Sequence, residues 1–525
     1  MPVLKKTNYP IILNLLGTLL LLNSFFMFLC VPVSLYYDEP AYKGLAIAGL
    51  ITFIIGLSMF LITRNAKKNV GKREGYLIVG VGWIGMALFG TLPYILTIPQ
   101  LSETAQQANQ MDLTNAMFET MSGYTTTGAS ILNDIEIMPK GLLFWRSLTH
   151  WIGGMGIIVL TIAILPLLGI GGMQLFVAEA PGVTADKLHP RITDTAKRLW
   201  MIYLLLTFAQ AFLLKVFGMN WFDAINHAMS TLSSGGFSTK NASMAYWNNT
   251  PILQYIVILF MFIAGTSFVL NYYIFKGLYK KVLKNQEYLF YLGLVVVISI
   301  ISTVVVHFYG QPSQTTITHP GVSISAFGDQ YFELESAFRH SLFSVVSVIT
   351  TTGFVSADFT QWTPFLTVIF FALLFTGGMA GSTSGGVKIV RHLILIKNSY
   401  SEFKRLIHPS AIIPVRYNEK AVPPKIVFNV LAFFMIYMLI FIFGSIIMAL
   451  LDTNINPDYD QVISSLSVTA SSLGNVGPAF GKYSPVNNFA DMADAAKWFA
   501  SFLMLLGRLE LFTILILLTP VFWRK

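Results

Sequence analysis

The chain has 525 residues and a single cysteine, Cys30, which lies in an apolar run, so no disulfide framework and no thiolate metal site can be built from it. Charge is scarce too. Only 11% of residues are Asp, Glu, Lys or Arg, against about 25% in a soluble domain. There is no HExxH pair, no Gly-Lys-Ser/Thr phosphate loop and no convincing nucleophile beside a base, so the chain is not read as an enzyme. No run alternates with the period of two that a lipid-facing barrel strand requires.

Apolar residues are abundant, at 54% of the chain with a mean hydropathy of +0.65. A soluble domain cannot hide that much apolar surface within itself. Stretches of about 20 apolar residues, enough to cross about 30 Å of hydrocarbon, fall near residues 10–36, 44–63, 75–97, 143–169, 197–217, 250–275, 288–309, 363–390, 424–451 and 496–522. Lipid offers no partner for free backbone groups, so these windows predict ten transmembrane helices and an all-α polytopic membrane protein. The first window follows Met1 to Lys6 but is too long for a signal peptide and has no small-residue cleavage pattern, so it is read as an uncleaved span.

The net charge of +9 is sorted by position. Arg64, Lys67, Lys68, Lys72 and Arg73 share one inter-span loop, Lys187, Arg191, Lys197 and Arg198 a second, and Lys276, Lys280, Lys281 and Lys284 a third. The longest loop carries Arg391, Lys397, Lys404, Arg405, Arg416, Lys420 and Lys425. Placing these in the cytoplasm puts both termini there, with Lys5, Lys6, Arg524 and Lys525, and leaves Asp38, Glu39, Glu103, Asp112, Asp452, Asp458 and Asp460 outside. The basic residues orient the chain, and nucleic acid is excluded as a partner.

Four times a serine is followed six positions later by a glycine in a short polar loop between apolar stretches: Ser122 to Gly128, Ser230 to Gly236, Ser347 to Gly353 and Ser471 to Gly477. Four copies in one context signal internal repetition. The chain divides into two leading spans at 1–70, pore repeats at 71–194 and 195–285, a third at 286–421 that includes a glycine-rich stretch and a cytoplasmic loop, and a fourth at 422–525. Each repeat carries a re-entrant segment: Asp112 to Tyr124, Trp221 to Leu232, Glu335 to Ile349 and Asp458 to Ser472. Half-crossing helices of this kind aim the negative ends of their dipoles at one axis in a pseudo-fourfold arrangement, which favours cations. Surface segments lying flat on the membrane are the competing reading.

The loop tips read Thr126-Thr127-Gly128, Ser234-Gly235-Gly236, Thr351-Thr352-Gly353 and Asn475-Val476-Gly477, with no carboxylate among them. Neutral oxygens, largely main-chain carbonyls, suit a large monovalent cation that must shed its water. Glycine at each tip permits the backbone angles that such carbonyls demand. The Thr and Ser hydroxyls suit either ion ligation or local turn capping.

The stretches TTTGAS, SSGGFST, TTTGF and GNVGP, with HWIGGMGIIVL, GGMAGSTSGGVK and GRLELFT, together resemble the Trk/Ktr potassium-uptake superfamily over essentially the whole chain, and the two leading spans resemble its bacterial TrkH branch. That resemblance implies gated potassium uptake through a single-chain filter in a bacterial inner membrane, with K+ as the transported ion and no cofactor in this chain. It also implies a homodimer among membrane lipid and cytoplasmic RCK-type nucleotide-binding regulatory subunits resembling TrkA. By residue it places the ion ligands at Thr126, Thr127, Ser234, Gly235, Thr351, Thr352, Asn475 and Val476, next to Gly128, Gly236, Gly353 and Gly477. Gly128 favours potassium, because some plant relatives that carry sodium have serine there. The fourth loop departs from the other three, with Asn475-Val476 in place of hydroxyl residues and Pro478 after the glycine.

Within the eighth window, Gly377, Gly378, Gly381, Ser382, Thr383, Ser384, Gly385, Gly386 and Lys388 fall in one run. Each interior glycine costs a helix about 1 kcal/mol relative to alanine, so the helix is expected to break and the irregular stretch to plug the pore beneath the filter, as the resemblance also implies. Close helix packing through small residues is the competing reading. Arg508 in the last span is expected to face the pore or to bind this stretch; pairing with Glu510, or snorkelling, is the alternative. His227 and His340 are read as packing or polar contacts. Ionisable residues at membrane depth look few beyond Arg508 and Lys388, so a gated importer is preferred and a proton- or sodium-coupled symporter is the alternative.

Overall fold

The structure is a computed structural model and describes residues 7–66, 71–159, 192–309, 317–319, 322–324, 333–454 and 461–524. Expectations for Lys5, Lys6, Lys67, Lys68, Lys187, Arg191, Asp458, Asp460 and Lys525, for residues 160–169 of the fourth window and for the start of the fourth re-entrant segment lie outside these residues. Helices dominate. Among the described residues the strands form two small antiparallel ribbons, Ile317–His319 with Val322–Ile324 and Arg416–Tyr417 with Lys420–Ala421.

Among the described residues, six helices are long and apolar enough to cross a membrane: Tyr9–Tyr36, Tyr42–Ile62, Arg73–Gln100, Lys197–Val216, Gln286–Tyr309 and Pro424–Leu451. Two further windows are bent pairs, Pro251–Gly265 with Phe268–Phe275 at 111° and Asp494–Arg508 with Phe512–Leu518 at 118°. The window at 143–169 is helical over Lys140–Val159. The window at 363–390 is no single helix. Pro364–Leu373 is helical, residues 374–388 are irregular, and a helix resumes at Ile389–Ile407, as the cost of successive glycines in a helix dictates.

The two leading helices pack through small residues, and a Cβ on Gly17 would stand 2.8 Å from the Gly56 carbonyl oxygen. Four short helices occupy the centre: Leu113–Tyr124, Trp221–Leu232, Leu334–Ile349 and Gln461–Gly474. The longest has 16 residues, so at about 1.5 Å per residue none reaches the about 30 Å of a bilayer core. Asp112 and Asn220 cap the first two, each accepting a backbone N–H at 2.7 Å, from Asn115 and Asp223. The last turns of all four are buried on every side, so protein rather than lipid surrounds the irregular backbone that follows them.

Candidate functional site

Each central helix ends in the same way. The carbonyl oxygens of Ser122, Ser230, Ser347 and Ser471 accept the N–H groups of Thr127, Gly235, Thr352 and Val476 at 2.9, 2.8, 2.8 and 3.0 Å. The preceding N–H groups, of Thr126, Ser234, Thr351 and Asn475, bond to Gly123, Thr231, Val348 and Ser472. This is a Schellman closure with a left-handed residue just past the helix. Thr126, Ser234, Thr351 and Asn475 all have φ between 52° and 57°, at about 1–2 kcal/mol each for a residue with a Cβ. Four strained residues in one register report a common geometry at a site that holds strain.

The tips then close on one another. A Cβ on Gly128 would lie 2.1 Å from the Gly235 carbonyl oxygen, one on Gly236 2.0 Å from that of Thr352, one on Gly353 2.2 Å from that of Val476, and one on Gly477 2.5 Å from that of Thr127. Loop one meets two, two meets three, three meets four and four meets one. The circuit surrounds a single axis, and all four glycines line one cavity of about 90 Å³ whose wall includes Arg146 and Lys240. No helix break and no packing of flat surface segments produces such a circuit.

The tip hydroxyls have neighbours of their own. Thr125 with Thr127 (2.7 Å) and Thr350 with Thr352 (2.8 Å) form matching hydroxyl pairs in loops one and three. Asn475 gives the fourth loop a longer reach, its Nδ2 donating to Thr127 Oγ1 at 3.0 Å and to the Met504 carbonyl at 2.8 Å. Ser234 and Thr351 turn to the glycine-rich stretch instead.

That stretch lies against the ends of three central helices. Its own ends pair, with the Gly377 N–H on the Val387 carbonyl at 2.9 Å and the Ile389 N–H on that of Gly378 at 3.2 Å. The Thr383 hydroxyl reaches the Leu232 carbonyl and Ser234 Oγ, both at 2.9 Å, and the Gly385 N–H donates to Thr351 Oγ1 at 2.7 Å. A Cβ on Gly385 would stand 2.6 Å from the Gly474 carbonyl oxygen. Ser382 and Ser384 share a hydrogen bond at 2.6 Å, Lys388 Nζ donates to the Ser384 carbonyl, and Gly381 and Gly386 have φ of 75° and 65°. The kink after Gly265 is served by this stretch as well, since the Phe268 N–H bonds to Gly381 and the Met379 N–H to Gly265.

Arg508 is 2% exposed, and its Nη1 donates to the Thr383 carbonyl at 2.8 Å and its Nη2 to that of Gly153 at 3.2 Å. Contact with the glycine-rich stretch is therefore what the structure holds. The alternative pair with Glu510 is absent, because Glu510 binds Arg391 at 2.6 Å. His227 contacts Ser238 and the Asp223 carbonyl, and His340 contacts Ser356. Among the described residues no group of His, Cys, Asp and Glu could hold a metal.

Sequence reasoning missed the buried ion pairs. Arg146 meets Glu119 at 2.6 Å with both side chains at most 3% exposed, while Glu119 also accepts the Ile131 N–H and Arg146 donates to the Ser238 carbonyl. The pair joins the backbone just beyond the first and second tips. Glu287 and the Arg391–Glu510 pair were also missed, so buried ionisable residues are more numerous than the sequence suggested. Charges standing inside apolar windows, such as Arg146 in LLFWRSLTHW, were the available signal.

The family described as TrkH, cation transport protein, matches residues 43–524. The chain belongs to the TrkH family. The resemblance drawn from the motifs is thereby borne out, and the family is one of transporters rather than enzymes. The chain is similar to the Trk system potassium uptake protein TrkH of Halomonas elongata, at 38% identity over 98% of this chain and 99% of the relative. It is 36% identical to the protein of that name from Escherichia coli K12, over 99% of this chain and all of the relative. The crystal structure of the potassium transporter TrkH from Vibrio parahaemolyticus superposes with a TM-score of 0.84 at 34% identity, covering 99% of this chain and 100% of that one.

Proposed function

We propose that this TrkH-family chain takes up potassium through a filter made by its four loop tips, with main-chain carbonyls and hydroxyls of Thr126, Thr127, Ser234, Gly235, Thr351, Thr352, Asn475 and Val476 replacing the ion's water, and Gly128, Gly236, Gly353 and Gly477 allowing the approach. The closed circuit of glycine against neighbouring carbonyl is the observation that carries this reading. It puts uncharged oxygens around one axis at the ends of four helix dipoles, an environment suited to a large monovalent cation. The names of the two relatives, both potassium uptake proteins, agree.

The glycine-rich stretch from Gly377 to Lys388 is the gate. It sits under the tips through Thr383 and Gly385, and Arg508 fastens it and adds a positive charge to the ion path. The chain lies in the inner membrane with its apolar flank, including Phe25, Phe208 and Phe308, in lipid. Both termini are cytoplasmic, in keeping with the packing of Ile11 and Ile12 against Leu77 and Phe522 and with the bond from Arg73 to the Arg524 carbonyl, which put the two ends beside one basic loop. A homodimer and nucleotide-binding RCK-type subunits are the partners, the latter meeting the basic cytoplasmic loop.

Purified protein in liposomes with a rubidium tracer tests this. Influx is expected to follow the ion's electrochemical gradient, with about 2.3 kcal/mol of drive per charge for each 100 mV, and to prefer potassium to sodium. Accumulation against that gradient, driven by a proton or sodium gradient alone, would establish the coupled symporter instead.

A further inference from the structure

Two consecutive residues at the start of helix Gln286–Tyr309 hold two elements that are far away in sequence. Glu287 is 3% exposed, and its carboxylate accepts the Ala380 N–H at 2.7 Å. Lys388 supplies a nearby positive charge. Ala380 belongs to the glycine-rich stretch, which the helix Ile389–Ile407 leaves. One side chain therefore fastens the stretch at Ala380.

Gln286 is tied to a different element. Its N–H donates to Asn418 Oδ1 at 2.9 Å, its side-chain oxygen accepts the Asn418 N–H at 3.1 Å, and Lys397 Nζ donates to the same oxygen. Asn418 and Glu419, with φ of 44° and 67°, are the two central residues of the turn in the ribbon of Arg416–Tyr417 and Lys420–Ala421, the left-handed pair that a tight hairpin requires. The ribbon is seated firmly, because Val415, Tyr417 and Val422 share a buried cluster with Val390 and Ile394.

We propose that Glu287 is a positioning residue that holds the glycine-rich stretch under the loop tips, and that Gln286 beside it transmits the position of the ribbon at 416–421 to that stretch. This rests on the gate reading given above. A partner that moves the ribbon would move the first turn of helix Gln286–Tyr309, and with it the carboxylate that anchors Ala380. The ribbon is thus the place where a cytoplasmic signal reaches the ion path.

The test uses the full chain in liposomes. Glu287→Ala is expected to raise maximal rubidium influx about tenfold, the effect of losing charge-assisted bonds, while the half-saturating potassium concentration stays unchanged because the tips are untouched. Glu287→Gln, which keeps one acceptor oxygen, falls between. In a Cys30→Ser background, Ser382→Cys is expected to react with a thiol reagent about tenfold faster when Glu287→Ala is added, a change in accessibility that depends on position and not on transport. Asn418→Ala, at the half-buried turn, raises influx by a smaller factor and adds nothing once Glu287 is replaced, as coupled sites behave.

Wild-type influx and wild-type labelling in Glu287→Ala overturn the positioning role, as does an effect confined to the half-saturating concentration. Effects of Asn418→Ala and Glu287→Ala that simply multiply overturn the transmission. If Arg508→Ala raises influx and Glu287→Ala does not, the gate stands and this proposal falls; if neither does, the gate reading itself fails.

Discussion

Gly236→Ala places the filter geometry under direct strain. Gly236 has φ of +80°, and a Cβ there would lie 2.0 Å from the Thr352 carbonyl oxygen and 3.0 Å from the Gly353 carbonyl carbon. Ordinary contact begins at 3.4 Å, so the seam between the second and third loops must open by 3.4 minus 2.0, or 1.4 Å. The left-handed backbone costs about 1–2 kcal/mol with a side chain, and overfilling a packed site about 1–3 kcal/mol more. At tenfold per 1.4 kcal/mol, a total of about 2–5 kcal/mol lowers influx by about thirtyfold to several thousandfold if the strained arrangement is the conducting one. Rubidium influx into liposomes measures this, with Gly277→Ala as the control. Gly277 also has a left-handed φ, of +71°, but nothing within 4 Å of its Cβ position, so its replacement costs only the backbone term and leaves influx within about twofold. Gly236→Ala transporting as well as Gly277→Ala would show that the close approach of the second and third loops does not matter for conduction.

Arg508→Ala is expected to raise influx at least about tenfold, since the Thr383 and Gly153 carbonyls lose a charged donor; unchanged or lower influx at normal expression counts against it. Asn475→Ala removes the donor to Thr127 and Met504, so stability falls by about 1–3 kcal/mol and discrimination between potassium and sodium weakens. Wild-type discrimination in ion-competition flux contradicts that. Glu119→Ala leaves Arg146 buried without its carboxylate, at about 3–5 kcal/mol, and a thermal unfolding midpoint equal to wild type would show the pair to be inert.

The sequence made the repeat visible, though through an unexpected atom. Serine six positions before glycine marks the place where a helix closes, yet the closing bond uses the serine carbonyl, and the hydroxyls of Ser122, Ser230 and Ser471 have no hydrogen-bond partner among the described residues. Only Ser347 among the four uses its hydroxyl, on the Phe354 carbonyl. The break in the window at 363–390 was legible because consecutive glycines weaken any helix. Hydropathy could not distinguish a straight span from the bent pairs at Gly265 and Arg508, since a kink leaves the apolar composition unchanged.

The buried polar contacts were not legible for a different reason. Glu119 finds Arg146 across 27 positions, Glu287 finds Ala380 across 93 and Arg391 finds Glu510 across 119, and no local pattern specifies a partner at such separations. Arg508 stood out as costly in an apolar window, which identified it as a residue needing a partner. The glycine-rich stretch was one expected partner; the particular carbonyls, of Thr383 and Gly153, followed only from the fold.

The most direct measurement is an experimental map of the protein in rubidium or thallium, using the heavy ion's own scattering. Density is expected on the axis ringed by the four tips at residues 126–128, 234–236, 351–353 and 475–477, lost in salt containing only a bulky organic cation. A transporting preparation whose ion density lies away from that axis, with none between the tips, would contradict it.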